Sequence, residues 1–325
     1  MPKDKSPQIV VSGSIAFDKI MDFPGVFTDN INAETPHQVH KFNLSLVVDN
    51  LQTSFGGTAG NIAYNLSLLK ERPIILGVVG FDFSAYRAWL VKNKINVEFV
   101  KKLKDAPTAA AHIITDKEDN QISAFYPCKS VTGYVAKTIK TICQQYNISL
   151  AIIAPDDKQR MLEYAAVYQA RHITYIFDPG QMTPTFSALE IKQAIKGARV
   201  LIGNDYEIAQ IVKLLKLKIA DLSAQVEILI ITKGSQGSQI YQGGRKIIIN
   251  AAKPANTSDP TGAGDAYRAG LIKGLLLGYN LKTCGQLAAT AAVYTVEKYG
   301  TQTHHFTTSD FIKRYNKNYR ERVNI

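Results

Sequence analysis

Leu150-Ala151-Ile152-Ile153-Ala154-Pro155 is followed at crossover distance by a second β-branched run, Ile173-Thr174-Tyr175-Ile176-Phe177-Asp178-Pro179, and then a third, Arg199-Val200-Leu201-Ile202-Gly203-Asn204. Between the first two, Met161, Leu162, Ala165 and Tyr168 recur at helical spacing over 157–170. Such alternation predicts an α/β fold, a mostly parallel sheet flanked by helices. Working outward, Ile9-Val10-Val11-Ser12-Gly13 and Ile74-Ile75-Leu76-Gly77-Val78-Val79-Gly80 read as further strands, and Ile62, Leu66 and Leu69 mark a helix over 58–70. Ligands of such sheets sit beyond the carboxyl ends of the strands.

Two regions break the alternation. Residues 15–55, and a pair of extended patterns near 108–115 and 121–127 around the polar turn Asp116 to Asn120, supply no crossover helix. They read as strands of a small accessory β-sheet, a lid over the active site or a dimer-forming surface, and the two roles are compatible. With 325 residues, 46% of them hydrophobic, the chain can bury a full core. No repeat or low-complexity linker divides it. We therefore read residues 1–325 as a single domain with lid insertions at about 15–55 and 106–130.

The formal net charge of +11 raises the question of nucleic acid, a membrane surface or a small polyanion as partner. Its distribution speaks against the first two. The lysines stand in short groups, Lys101, Lys102 and Lys104 or Lys213, Lys216 and Lys218, with no basic stripe and no interleaved aromatics. No apolar run reaches the roughly 18 to 20 residues that span a bilayer, and the opening Met1 to Ser14 lacks an apolar signal segment, so the expected location is the cytoplasm. Cys128, Cys143 and Cys284 are odd in number and widely spaced, and read as buried small hydrophobes.

The strongest chemical signal is Asp259-Pro260-Thr261-Gly262-Ala263-Gly264-Asp265-Ala266-Tyr267, leading into the apolar helical stretch Ala269 to Leu277. A glycine-rich turn at a helix start can aim several backbone N–H groups at one point, where the helix dipole adds partial positive charge. That is a phosphate cradle, and Asp265 at its mouth can accept a proton. A second glycine-led helix start is Gly56-Gly57-Thr58-Ala59-Gly60-Asn61-Ile62-Ala63-Tyr64-Asn65.

Together these two strings resemble the signatures of the PfkB, or ribokinase-like, family of kinases. The resemblance implies a ribokinase-like fold, an anion hole for the transferring phosphate at Gly262, Ala263 and Gly264, and Asp265 as catalytic base. It also implies substrate-hydroxyl contact by Gly56, Gly57 and Asn61. Asn204-Asp205-Tyr206-Glu207 is similar to the motif that organises Mg²⁺ near the nucleotide, with Glu207 acting through water; otherwise it reads as a helix-start carboxylate. Thr232-Lys233-Gly234-Ser235-Gln236-Gly237 is similar to the nucleotide loop, which implies ATP contacts by Asn204, Thr232, Gly234 and Gly237; a plain hairpin is the structural alternative. Ala288 to Gly300, with Ala292, resembles the shelf for adenine, and in relatives a monovalent cation such as K⁺ binds beside residues matching Asp259 and Thr261.

The amino-terminal third, with Gly13-Ser14-Ile15-Ala16-Phe17-Asp18, Met21 to Phe27 and Leu44 to Asp49, looks like the bacterial adenosine kinases built on this plan. That likeness implies Asp18 as the reader of the ribose hydroxyls, with Ser14 and Ser45 nearer the base. Phe125 fits an aromatic wall for adenine, but the opposing position, Ala111, carries no ring. Ser130 stands where that branch has an apolar lid residue, and Asp178-Pro179-Gly180-Gln181-Met182 keeps one glutamine, Gln181, of an expected pair. The expected reaction is ATP-dependent phosphorylation of a primary hydroxyl on a ribose-containing acceptor, adenosine to AMP. A sugar kinase acting on ribose or fructose is the alternative, and a non-catalytic nucleotide-binding protein a distant one.

Overall fold

The computed structural model describes residues 4–30, 45–118 and 120–325. Part of the first expected lid insertion, including Leu44, lies outside the described residues. In chain order the elements begin with β1 (Asp4–Ser12), β2 (Ala16–Asp22), α1 (Phe27–Asn30), β3 (Asn50–Gly56), α2 (Thr58–Leu68), β4 (Ile74–Leu76), β5 (Val78–Val79), α3 (Ser84–Lys92) and β6 (Lys101–Lys102). They continue with β7 (Ala109–Thr115), β8 (Gln121–Tyr126), α4 (Tyr134–Gln145), β9 (Tyr146–Ile153), α5 (Lys158–Ala170), β10 (Tyr175–Phe177), α6 (Ala188–Ile195), β11 (Val200–Asn204) and α7 (Asp205–Leu215). The last are α8 (Ile219–Ser223), β12 (Ile228–Thr232), β13 (Ser238–Gln242), β14 (Arg245–Ile249), α9 (Ala263–Leu276), α10 (Leu281–Val296) and α11 (Thr308–Tyr319).

The main sheet runs β14-β13-β12-β11-β10-β9-β1-β4. Its β12-to-β4 part is parallel, and the hairpin of β13 and β14 adds two antiparallel strands at one edge. Successive residues of the parallel strands alternate between two cores. Val11, Ile152, Ile202 and Ile230 join the cluster that includes α2, α9 and α10, while Val10, Ile153, Leu201 and Leu229 join the one that includes α4 to α7. Burial on both faces is why these strands read as unbroken apolar runs.

The run 74–80 is not one strand. β4 belongs to the main sheet, whereas β5 pairs only with β6 in a separate two-stranded ladder. The break falls at Gly77, whose carbonyl accepts the Lys101 N–H at 2.9 Å and the Tyr134 hydroxyl at 3.1 Å instead of a main-sheet partner.

The second sheet, β3-β2-β7-β8, is where the breaks in alternation placed accessory strands. Its tightest turn is built on Asp116, whose carboxylate accepts the N–H groups of Phe27, Glu118 and Asn120, each at 2.9 Å. One side chain thus closes the β7–β8 hairpin and pins α1 beside it.

Helix α9 packs along α10 through glycine. A Cβ at Gly270 would lie 2.6 Å from the Leu287 carbonyl oxygen and 2.7 Å from the Ala288 Cα, both backbone atoms that cannot swing aside. Alanine's advantage over glycine within a helix is about 1 kcal/mol, less than the ~1–3 kcal/mol that overpacking costs. Gly270→Ala is therefore expected to lower stability, seen as a lower urea midpoint with an unchanged slope.

Candidate active site

The carboxyl ends of the central strands β1, β9, β10 and β11 meet the amino ends of α2, α7 and α9, and the second sheet stands beside them. Ser14, two residues past β1, accepts the Thr58 N–H through its hydroxyl at 3.1 Å and so supports the start of α2. Its own N–H goes to the Pro155 carbonyl at 3.0 Å, which ties the loop to the end of β9.

Helix α9 starts at Ala263 from Gly262, whose φ of 78° puts it in the left-handed region that glycine occupies without strain. No side chain caps this end; the Ala263 N–H turns back to the Pro260 carbonyl at 3.2 Å, and the N–H groups of Gly264 and Asp265 keep the character of an anion site. Ala263, Gly264 and Asp265 make up that first turn. Burial pushes the Asp265 carboxyl up to about 7, opposed by the Asn61 hydrogen bond and by Arg268 and reinforced by Asp178 and Asp18. The Asn61 amide donates to Asp265 Oδ2 at 2.9 Å. The second N–H of the Asn61 amide is not engaged among the described residues.

Arg268, one turn along α9, was not singled out in the sequence. It is buried and holds both oxygens of Asp178, at 2.7 and 2.9 Å, and its Nη1 donates to the Gly264 carbonyl at 3.1 Å. Its charge is engaged by Asp178, and among the described residues Asp265 has no salt bridge of its own. Behind Asn61 lie Gln302, Tyr86 and Trp89, also missed, and Asn65, whose amide donates to the Asn61 carbonyl at 3.0 Å. His304 Nε2 meets the Asn65 Oδ1 at 2.8 Å, and burial pulls the imidazole down to about 4, so it is a neutral donor there.

On the second sheet, Asp18 lies against Gly56, where any Cβ would run into its carboxylate. Gly57 is the residue from which α2 springs. Burial, with Asp259 adding, pushes Asp18 up to about 6. Cross-strand register sets Ser54, Asp18, Ala111 and Phe125 in one row, and directly paired residues share a face. This corrects the expectation of opposed walls: Ala111 is the lateral neighbour of Phe125, not a position across a slot from it. Phe125 is 53% exposed. The Ser130 hydroxyl donates to the Asp157 carboxylate at 2.7 Å. Met182 packs against the core, while Gln181 and Ser45 are exposed.

At the end of β11, Asn204 caps α7 and the Glu207 carboxylate accepts the Asn204 N–H at 2.7 Å, a helix-start carboxylate. Burial and the nearby Asp178 push the Glu207 carboxyl up. Thr232 ends β12, and the turn carrying Gly234 and Gly237 joins it to antiparallel β13, so the local structure is a hairpin. Ala292 is half-buried on α10. Asp259 ties the two ends of this region together, accepting the Thr261 N–H at 2.8 Å and the Gly300 N–H at 3.0 Å. A cavity of about 920 Å³ lies elsewhere, between the 250–255 segment and α11, and none of the residues just named lines it.

This is a ribokinase-like α/β fold, shared over 97% of the chain and 99% of the other protein with the inosine complex of Burkholderia thailandensis nucleoside kinase, at a TM-score of 0.84 and 32% identity. The chain belongs to the PfkB family of carbohydrate kinases, whose sequence pattern matches residues 26–308. It is 34% identical over 285 residues to a nucleoside kinase of Methanocaldococcus jannaschii, covering 86% of this chain and 92% of that protein. The solved structure of M. jannaschii nucleoside kinase, an archaeal member of the ribokinase family, matches with a TM-score of 0.83. Ribokinase-family kinases use ATP, and among their structures is one of the Burkholderia enzyme with ADP-inosine. No helix among the described residues is long and apolar enough to cross a membrane.

The raised Asp265 has a sign that can be checked. Its folded value, about 7, lies above the ordinary 3.8, so between those values the native state holds a proton that the unfolded chain releases. Its contribution to stability therefore falls as pH rises through that window and is a full cost above it. Asp265→Asn is expected to raise Tm at about pH 8 and to change it little at about pH 3, below both values; thermal scans at the two pH values read the difference.

Proposed function

We propose that the chain is an ATP-dependent nucleoside kinase that phosphorylates the primary ribose hydroxyl of a purine nucleoside, with adenosine and inosine as first candidates. The observation that carries this reading is the row Asp18–Ala111–Phe125. Adjacent strands lie about 4.8 Å apart, so the hydroxyl-reading carboxylate and the exposed ring stand roughly 10 Å apart on one face. That span suits a ribose over Asp18 with a base reaching Phe125. A free sugar would engage Asp18 and leave the ring bare. The likeness to a nucleoside kinase crystallised with inosine supports the same choice.

In this reading Asp18 accepts the vicinal hydroxyls, each of which supplies a donor. Gly56 and Gly57 let the sugar come close, and Asp265 takes the proton from the attacking hydroxyl while the α9 N–H groups hold the transferring phosphoryl. The second sheet covers the reacting atoms as a lid, and its outer face is a candidate dimer surface. Burial and the neighbouring Asp178 carboxylate oppose the ionisation of Glu207 on the nucleotide side, an environment that a divalent cation would relieve. Glu207 would hold Mg²⁺ through water, and the ion supplies charge neutralisation to the ATP phosphates. Thr232, Gly234, Gly237 and Ala292 would hold the nucleotide, and a monovalent cation such as K⁺ would sit beside the Asp259 turn.

Three variants test these roles by ADP release with Mg²⁺-ATP. Asp265→Asn should lower kcat about 10²- to 10⁴-fold with the KM for ATP little changed, and near-normal turnover would remove the base assignment. Asp18→Ala should raise the acceptor KM and leave that for ATP alone; equal effects on both would indicate a folding role instead. Phe125→Ala should cut the preference for adenosine and inosine over ribose by about 2- to 10-fold, the worth of one aromatic contact, with ribose turnover unaffected. A wild-type chain that prefers ribose or fructose to both nucleosides contradicts the proposal.

A further inference from the structure

Asn61 can present either end of its amide to Asp265. Presenting Oδ1 would set two acceptors against each other, whereas Nδ2 donates. Asn61 and Gln302 are each 4% exposed and Tyr86 is fully buried, so water does not decide between the two orientations. The decision traces to one group that has no choice. The Trp89 indole N–H is a donor only, and it donates to Gln302 Oε1 at 3.0 Å. Gln302 must then turn Nε2 the other way, where it donates to Asn61 Oδ1 at 3.0 Å and to the Tyr86 hydroxyl at 2.6 Å. With Oδ1 so engaged, Asn61 faces Asp265 with Nδ2. Turning Asn61 around would require turning Gln302, which would set its amino group against the indole N–H.

The same junction reaches the other carboxylate. The Tyr86 hydroxyl accepts from Gln302 and donates its own hydrogen to the Gly56 carbonyl at 2.8 Å, and Gly56 is the residue pressed against Asp18. Gln302 thus sits between the two acids of the cleft, held from α3 by Trp89.

We propose that Gln302, oriented by Trp89, is a positioning residue for phosphoryl transfer: it fixes the sense of the Asn61 amide, so that Asp265 Oδ2 is held by a donor and Oδ1 is left to take the proton. This rests on the reading of Asp265 as the base.

Gln302→Glu keeps the shape and still accepts from Trp89, but an ionised carboxylate has no N–H for Asn61. Asn61 should then turn its oxygen to Asp265. Hydrogen bonds to charged groups are typically worth a factor of about 10 to 100, so kcat should fall by about that much with the KM for ATP within about twofold. The acid limb of kcat/KM should move to higher pH. Asp265 faces Arg268 from its own helix, Asp178 from the loop after β10, Asp18 from β2 and Tyr86 from α3, and the substitution replaces none of them. Trp89→Phe adds no charge and keeps a ring against Phe55 and Tyr64, so it separates orientation from the new carboxylate. It should lower kcat by about 2- to 10-fold and move the acid limb the same way, and it serves alone should Gln302→Glu not fold.

The decisive comparison is the Asp265→Asn background, in which both substitutions should lose their effect on kcat. Equal drops in both backgrounds, or wild-type kcat and acid limb in both single variants, overturn the relay while leaving the base assignment intact. Normal turnover by Asp265→Asn alone overturns the base assignment, and the relay with it.

Discussion

Everything at this site depends on keeping one carboxylate, Asp265, basic in the first turn of a largely buried helix. Burial alone would favour the neutral acid, and a close guanidinium would make it too weak a base to accept a proton. The structure holds a middle course. Arg268 is one turn away but is clamped by both oxygens of Asp178, and the nearest donor to Asp265 is a neutral amide. The result is a carboxyl near 7, a value suited to the general base proposed for it.

That arrangement explains why so many long-range contacts converge on α2 and α9. Gly264 gives its carbonyl to Arg268, Asn61 gives its amide to Asp265, and Gln302, some 240 residues along the chain from Asn61, locks that amide. The close packing of Gly270 on α10 fixes the axis along which Asp265 is presented. The second sheet then brings Asp18 to the same cleft, so that in the proposed reaction Asp18 on the second sheet would grip the acceptor and Asp265 on α9 would deprotonate it.

The alternation of apolar runs and helical patterns was enough to read the parallel sheet, because strands buried on both faces leave an unmistakable apolar signature. The polar turn after Thr115 marked the hairpin of the second sheet for the same reason in reverse: Asp116 is a turn-forming side chain whose oxygens gather nearby N–H groups. Asp265 was legible because a glycine-led helix start is a local pattern. Gln302, Trp89 and Tyr86 were not, since a single glutamine in Gly300-Thr301-Gln302-Thr303 has no spacing to betray partners on distant helices. The Ala111–Phe125 relation also escaped, because facing or neighbouring is a matter of strand register, which composition does not encode. Gly77 ended a strand inside an apolar run for a tertiary reason, its carbonyl being taken by Lys101 and Tyr134.

The central claim is that the cleft joins a base at Asp265 to a nucleoside-length row at Asp18 and Phe125. It is tested most directly by giving the chain Mg²⁺-ATP with equimolar ribose and inosine and identifying the phosphorylated product by phosphorus–proton correlation NMR. The account predicts that the phosphate appears on the primary hydroxyl of the nucleoside, with ribose left largely unreacted. Phosphate found mainly on free ribose, or on a secondary hydroxyl of inosine, would contradict it.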